Sequence, residues 1–276
     1  MNLVIQGPEM TSAQADELGH LAGTAQIERI GERAYRLRNA ARTESIPPWC
    51  ETRRIDHAFI PQGRRFADLK LLAMDMDSTL ITIECIDELG DLAGRKAEIA
   101  AITAQAMRGE IEYRESLRRR VAALAGLAES SLKTIYEERL QLTPGAGALI
   151  AACKKHGVRL LLVSGGFTFF TERLKARLGI DHTISNVLEV KGGKLTGALA
   201  GEIVDADAKA AKFREVLLGL KAKRHESIAI GDGANDLKMM DEAGVSVAFR
   251  AKPVVQTRAT CAINWCGLDA VVNLLE

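Results

Sequence analysis

Two carboxylates stand two positions apart in DMDSTL, residues 75–80, directly after the apolar run LKLLAM. At a strand end, residues i and i+2 project to the same side, so Asp75 and Asp77 can lean into one crevice. Paired acids of this kind invite acid/base or metal chemistry. One carboxylate can attack phosphorus to form an acyl phosphate, while the second protonates the leaving alkoxide and later activates water. An ordinary solvated turn at a strand end offers the same pair, and D-x-D alone does not choose.

A second acidic segment, GDGANDLKMM at 231–240, adds Asp232 and Asp236. These are hard oxygen ligands suited to magnesium, set among glycines that let the backbone approach closely. Taken alone, the segment reads equally as an Asp-Gly turn capping a helix. Ser164 opens SGGF, and its hydroxyl with neighbouring backbone N–H groups suits a phosphoryl oxygen. Lys209, in DADAKAAK, offers a point charge for the same phosphate. Each has a plain alternative, a loop serine and a solvated helix lysine.

What must bring these residues together is a sheet. LKLLAMD before residue 76, VRLLLVS at 158–164 and ESIAIGD at 226–232 are continuous apolar runs of the sort that strands buried on both faces require. In an open α/β sheet, ligands bind beyond the carboxyl ends of the strands, so Asp75, Ser164 and Asp232 are expected at one crevice. The stretch from Asp75 to Ser164 is far longer than one crossover needs, and 84–140 has helical periodicity, which predicts an inserted helical cap. A hairpin is expected over 187–199, turning at Gly192-Gly193.

Ahead of the catalytic domain, assigned to 70–276, residues 1–69 read as a small α+β appendage. It has a strand at 3–6, a helix at 12–22, one or two strands over 27–37 and a polar stretch around Pro47 and Pro48, together a βαβ-like unit. The fold class expected is α/β, a Rossmann-like parallel sheet with an inserted helical cap and this N-terminal unit.

Composition narrows the partners. In 276 residues, 37 basic side chains face 36 acidic ones, so no global field draws the chain to nucleic acid or an anionic membrane. No apolar run is long enough for a spanning helix and the start, MNLVIQGPEM, has no basic leader, which predicts a cytoplasmic protein. The five cysteines are scattered without C-x-x-C and read as reduced thiols. The five histidines have no metal spacing, and histidine catalysis is not indicated.

DMDSTL, SGGF, Lys209 and GDGAND, in that order, resemble the haloacid dehalogenase superfamily from one end of its active site to the other. TIECIDEL (82–89), MRGEIEYRESLRRRV (107–121) and LTPGA (142–146) are similar to its phosphoserine phosphatase branch, and the resemblance covers about residues 70–276. It implies that Asp75 is the nucleophile and Asp77 the general acid/base. It implies Mg²⁺ held by Asp75, the Asp77 backbone carbonyl and Asp232, with Asp236 in support. Ser164, Gly165 and Lys209 would hold the phosphoryl group, supported by Asn235. For the amino-acid half it points to Glu84 at the ammonium and Arg120 at the carboxylate, with Met107 and an aromatic residue closing the pocket. That aromatic is commonly Phe in the family and is Tyr113 here.

The implied reaction is hydrolysis of O-phospho-L-serine to L-serine and phosphate through an aspartyl-phosphate, the last step of the phosphorylated route to serine. The N-terminal unit resembles the ACT-like regulatory region of some bacterial members. Sensing an amino acid, supporting a homodimer and covering a sheet edge are all open readings of it. Two rivals stand beside this one. A phosphatase of the same superfamily could act on another small phosphomonoester. A signalling receiver also phosphorylates an Asp, but has no use for Asp77 or for a cap of more than 50 residues.

Overall fold

Alternation along the first strand decides how the N-terminal unit is built in the computed structural model, which describes residues 1–276. In β1 (Asn2–Gln6), Leu3 and Ile5 face one core while Val4 faces another. A Thr11–Gln14 capping box starts α1 (Ser12–Leu21). Next come β2 (Ile27–Gly31), β3 (Ala34–Leu37), α2 (Ile46–Thr52) and β4 (Asp56–Ile60). The sheet is antiparallel in the order β2-β3-β1-β4, the split β-α-β arrangement of ferredoxin-like units. The unit is therefore larger than the βαβ-like reading. Pro47 and Pro48, expected in a polar stretch, occupy the first turn of α2, where a missing N–H breaks no helical hydrogen bond.

One face of this sheet packs on its own helices through Leu3, Ile5, Leu18, Leu37 and Ile46. The other face docks on the catalytic domain, where Val4, Ala58 and Ile60 join the main core. Polar side chains of the same face finish the contact. Gln6 Nε2 donates to Ala270 O at 3.1 Å and Arg36 Nη2 to Leu275 O at 2.6 Å. The buried Asp56 carboxylate accepts the backbone N–H groups of Asn264, Trp265 and Cys266 at 2.7, 3.2 and 2.9 Å.

The catalytic sheet begins with β5 (Leu71–Asp75), buried at every position. Four cap helices follow, α3 (Cys85–Leu92), α4 (Lys96–Met107), α5 (Tyr113–Ala122) and α6 (Ser130–Thr134). The chain then returns through α7 (Ala146–Lys155), β6 (Arg159–Phe167), α8 (Thr168–Leu178), β7 (His182–Lys191) and β8 (Lys194–Ala200). It finishes with α9 (Ala206–Gly219), β9 (Ser227–Gly231), α10 (Leu237–Glu242), β10 (Val245–Phe249), α11 (Pro253–Gln256) and β11 (Cys261–Ile263).

The strand order is β11-β10-β9-β5-β6-β7-β8, parallel except for the β7–β8 hairpin. Lys191 pairs with Lys194 across Gly192-Gly193, whose φ values of 60° and 72° are those of a two-residue hairpin turn. Side chains alternate between two cores. Leu72, Met74, Leu160 and Leu162 share one with α7 and the N-terminal sheet, while Ala73, Leu161, Val163 and Ala229 share the other with α9 and α10. No helix is long and apolar enough to cross a membrane.

Because β5 lies between β9 and β6, the three strand ends that carry polar residues are next to one another. The segments entering and leaving the cap are also tied together. Thr82 N donates to Gln141 O and Thr143 N to Leu80 O, both at 3.0 Å, around an Ile81–Leu142 bridge. The cap therefore stands on a paired double tether beside Asp77.

Candidate active site

Beyond β5 the backbone is extended at Asp77 (φ −67°, ψ 135°) and then turns through Ser78 in the left-handed region (φ 56°, ψ 2°). A non-glycine residue there is strained, and such strain persists only where the surroundings enforce it. Here Ser78 Oγ donates to Glu84 Oε1 at 2.7 Å, which fixes the first cap residue above the acidic pair. Asp77 is held at both oxygens. Oδ1 accepts from Cys85 N at 2.8 Å and Oδ2 from Ser164 Oγ at 3.2 Å, while Ser164 Oγ itself accepts from Gly166 N at 2.8 Å.

Lys209 enters from the first turn of α9, whose N-cap Asp205 accepts from Ala208 N at 3.0 Å. The lysine is fully buried, and Nζ donates to Asp75 Oδ1 and Asp236 Oδ1 at 2.7 Å each. An ammonium has three donors, so one is left to point into the cleft. Asp236 is anchored further by Gly233 N at 3.0 Å. Carboxylate oxygens of Asp75, Asp232 and Asp236 all lie within 4.8 Å of one another.

Electrostatically this is an acid-rich pocket with one cation. Burial, then the charge of Asp236, raises the Asp75 carboxyl, and the Lys209 ammonium opposes them. Burial works against the Lys209 ammonium, but Asp236 and Asp75 outweigh it and hold the group above the ordinary lysine range. Burial raises Asp77 against the Cys85 N–H and the Ser164 hydroxyl. Asp232 is pushed up to about 6 by burial and Asp236. The Glu84 residue is exposed, yet the protein packed around its carboxyl withholds water and, with the Asp77 charge added, pushes it up to about 7. Four aspartates against one lysine leave a negative excess that a divalent cation on Asp75, Asp232 and Asp236 would largely offset, so the donor set fits a hard metal ion.

A carboxylate held beside an ammonium, with a second carboxyl of raised pKa next to it, can be nucleophile and proton carrier for phosphoryl transfer. The haloacid dehalogenase-like hydrolase family matches this chain over residues 72–241, a span containing all of these groups. The chain belongs to that family. Among haloacid dehalogenase-like hydrolases, a phosphoserine phosphatase of Polaromonas sp. is 54% identical over 217 residues, covering 77% of this chain and 92% of its own. The crystal structure of a probable phosphoserine phosphatase from Vibrio cholerae, unliganded, superposes with a TM-score of 0.86 at 35% identity and covers 99% of this chain and 86% of that one. A structure described as a phospho-aspartyl intermediate analogue of phosphoserine phosphatase gives a TM-score of 0.71 at 35% identity, covering 75% of this chain and 99% of that one. Residues 3–46 match a family described as a domain of unknown function.

In this haloacid dehalogenase-like hydrolase the cap brings down some of the expected residues. Tyr113, first in α5, sets its hydroxyl against Gly165, and Asn235 Nδ2 approaches the same glycine. Arg120, two turns further along α5, is half-buried and makes no ion pair, although Asp87 lies within reach of its charge; its Nε contacts its own helix at Ser116 O, 3.4 Å away. Met107 does not join them. At the C-terminus of α4, just before the turn at Gly109, its side chain is 65% exposed, so the residue expected to close the pocket stands largely in solvent.

Two supporting residues were not anticipated. Ser78 was one, because nothing in its type announces a left-handed turn. Asn186 was the other. Buried in β7, it donates through Nδ2 to Gly165 O and accepts at Oδ1 from Val204 N, both at 2.8 Å. It thereby ties the glycine strand end to the segment leading into α9. An amide flanked in its strand by the β-branched Thr183, Ile184, Val187 and Val190 is the available signal.

Proposed function

We propose that this hydrolase converts O-phospho-L-serine to L-serine and phosphate through an aspartyl-phosphate on Asp75. The observation that carries the reading is the charge pattern of the cleft. An ammonium and an acid pair lie at its floor, while Glu84 and an unpaired, half-buried Arg120 hang from the cap above, matching in sign the phosphate, ammonium and carboxylate of an amino-acid phosphate. Asp75 attacks phosphorus, the ester P–O bond breaks, and Asp77 gives its proton to the departing seryl oxygen. Asp77 then takes a proton from the water that attacks the acyl phosphate, releasing phosphate and restoring Asp75. Lys209, Ser164 and the Gly165 N–H hold phosphoryl oxygens, with Asn235 in support. Asp75, the Asp77 carbonyl and Asp232, with Asp236 behind, would hold Mg²⁺, which would neutralise phosphoryl charge.

The deciding experiment is a substrate panel with and without magnesium, comparing phosphoserine, phosphothreonine, phosphoethanolamine and a sugar phosphate in native and Arg120→Ala protein. A charged hydrogen bond in a closed site contributes about 1.5–3 kcal/mol, so the variant should lose roughly 10- to 10²-fold in kcat/KM on phosphoserine. Phosphoethanolamine, which lacks the carboxylate, should lose little further rate. Equal losses on both would make Arg120 a support of the cap. Glu84→Gln is the converse, expected to weaken phosphoserine more than phosphoglycolate, which carries no ammonium. Phosphate release beyond one equivalent per chain separates an enzyme from a receiver.

The magnesium requirement should depend on pH. The metal-free Asp232 carboxyl lies at about 6, above its ordinary value, so a proton occupies it increasingly as pH falls through 6 and must leave before metal binds. The half-saturating magnesium concentration is expected to rise by about tenfold or more per pH unit below that point, because the raised Asp75 carboxyl must lose its proton to bind metal as well. Magnesium titrations of activity at several pH values check this, and a requirement unchanged between the acid and neutral ends would contradict it.

A further inference from the structure

We infer that the Tyr113 hydroxyl is an additional phosphoryl contact supplied by the cap, so that gripping the phosphoryl group and seating the cap on the core are one event. The inference rests on the phosphatase reading above, though not on which phosphate ester is the substrate. Its first support is position. The hydroxyl lies so close over Gly165 that a Cβ on that residue would overlap it, and the next polar group there is Asn235 Nδ2, 4.0 Å from the same point. Gly165 follows Ser164, whose hydroxyl sits against Asp77. The phenol oxygen is thus at the phosphate end of the cleft.

The second support is a free donor. Tyr113 is half-buried with its ring packed against the main core, and its hydroxyl, engaged by no acceptor in the protein, keeps contact with solvent in the cleft. Burial raises the phenol, with Lys209, Arg120, Asp75 and Asp236 as its charged neighbours, so the group stays protonated and able to donate. A phosphoryl oxygen is the acceptor that the chemistry of the site would bring there.

The third is how α5 is mounted. Arg114, the next residue, bonds Asp205 at 2.6 Å through both Nε and Nη2, and Asp205 is the N-cap of the helix that carries Lys209. The cap and the lysine helix are thereby latched beside the phenol. Arg120 lies seven residues on, about 10 Å along the helix axis, so the two side chains serve different ends of a ligand. Tyr113 meets the phosphoryl group, and Arg120 meets whatever the ester carries. Where the family commonly has Phe, this chain adds a hydroxyl that only a seated cap can present.

Tyr113→Phe tests this, because it keeps the ring and removes an oxygen bonded to nothing in the protein. We expect kcat/KM to fall about tenfold or more on both phosphoserine and p-nitrophenyl phosphate, and inhibition by inorganic phosphate to weaken by a similar factor. The thermal midpoint should be unchanged. A purely structural hydroxyl would move the midpoint and leave phosphate inhibition alone, overturning the inference. So would native values for all three ligands. A loss confined to phosphoserine would assign the hydroxyl to the amino-acid half and overturn it equally. If the native protein hydrolyses p-nitrophenyl phosphate but not phosphoserine, the substrate proposal fails, while the comparison on the aryl ester and inorganic phosphate still decides the role of Tyr113.

Discussion

Asp75→Asn is expected to lower turnover by roughly 10⁴-fold or more, the scale on which loss of an enzymic nucleophile is felt, and to leave no phosphoryl group on the protein. The amide has the volume of the carboxylate and can still accept from Lys209 Nζ through Oδ1, so the pocket should keep its shape. What it loses is the charged oxygen that attacks phosphorus. Phosphate release measured with enzyme in excess, together with the intact mass of protein quenched during reaction, separates lost chemistry from slow product release. Turnover within a factor of ten of native would move the nucleophile to another carboxylate, Asp232 and Asp236 being those within reach.

Asp77→Asn should fail differently. Its two hydrogen bonds, from Cys85 N and Ser164 Oγ, can be kept by an amide once the serine hydroxyl turns to accept, so the local fold is preserved. The attacking carboxylate is also intact. The missing part is the proton carrier, which typically contributes 10²–10⁴-fold in each step that it serves. Turnover is therefore expected to drop by about that range, and an aspartyl-phosphate should form slowly and then persist, because its hydrolysis needs the same group as base. Quenched-flow mass spectrometry would see the phosphorylated chain accumulate. Undiminished hydrolysis would require another acid/base.

Asp75 and its strand-end neighbours are legible in the sequence to a degree that other parts of the site are not. Asp75, Ser164 and Asp232 were recoverable because a strand buried on both faces needs an unbroken apolar run, and such runs end visibly. Their adjacency followed from sheet topology alone. The cap was legible as a surplus of helical sequence between two strands. Less visible were features that depend on what a side chain meets after folding. Lys209 reads as a point charge for phosphate, yet it also bonds Asp75 and Asp236. Ser78 adopts a left-handed turn that propensity assigns to glycine. α2 was hidden behind two prolines, which disfavour a helix everywhere except in its first turn, where these stand. Met107 rested on resemblance without a periodic or chemical signal of its own.

The docking of the N-terminal sheet has a consequence for how the chain is made. Residues 2–60 are synthesised well before the groups that satisfy Gln6, Arg36 and Asp56, which belong to residues 264–275, more than 200 positions later. At ordinary translation speeds that delay is on the order of 10–40 s. Through it the face bearing Val4, Ala58 and Ile60 has no partner, and the buried Asp56 carboxylate no donors. The nascent sheet can form from local contacts but cannot seat until residues 264–275 have emerged. Chains arrested shortly after β11 would carry an open apolar sheet face, the kind of surface that holdase chaperones cover and that drives aggregation of stalled products.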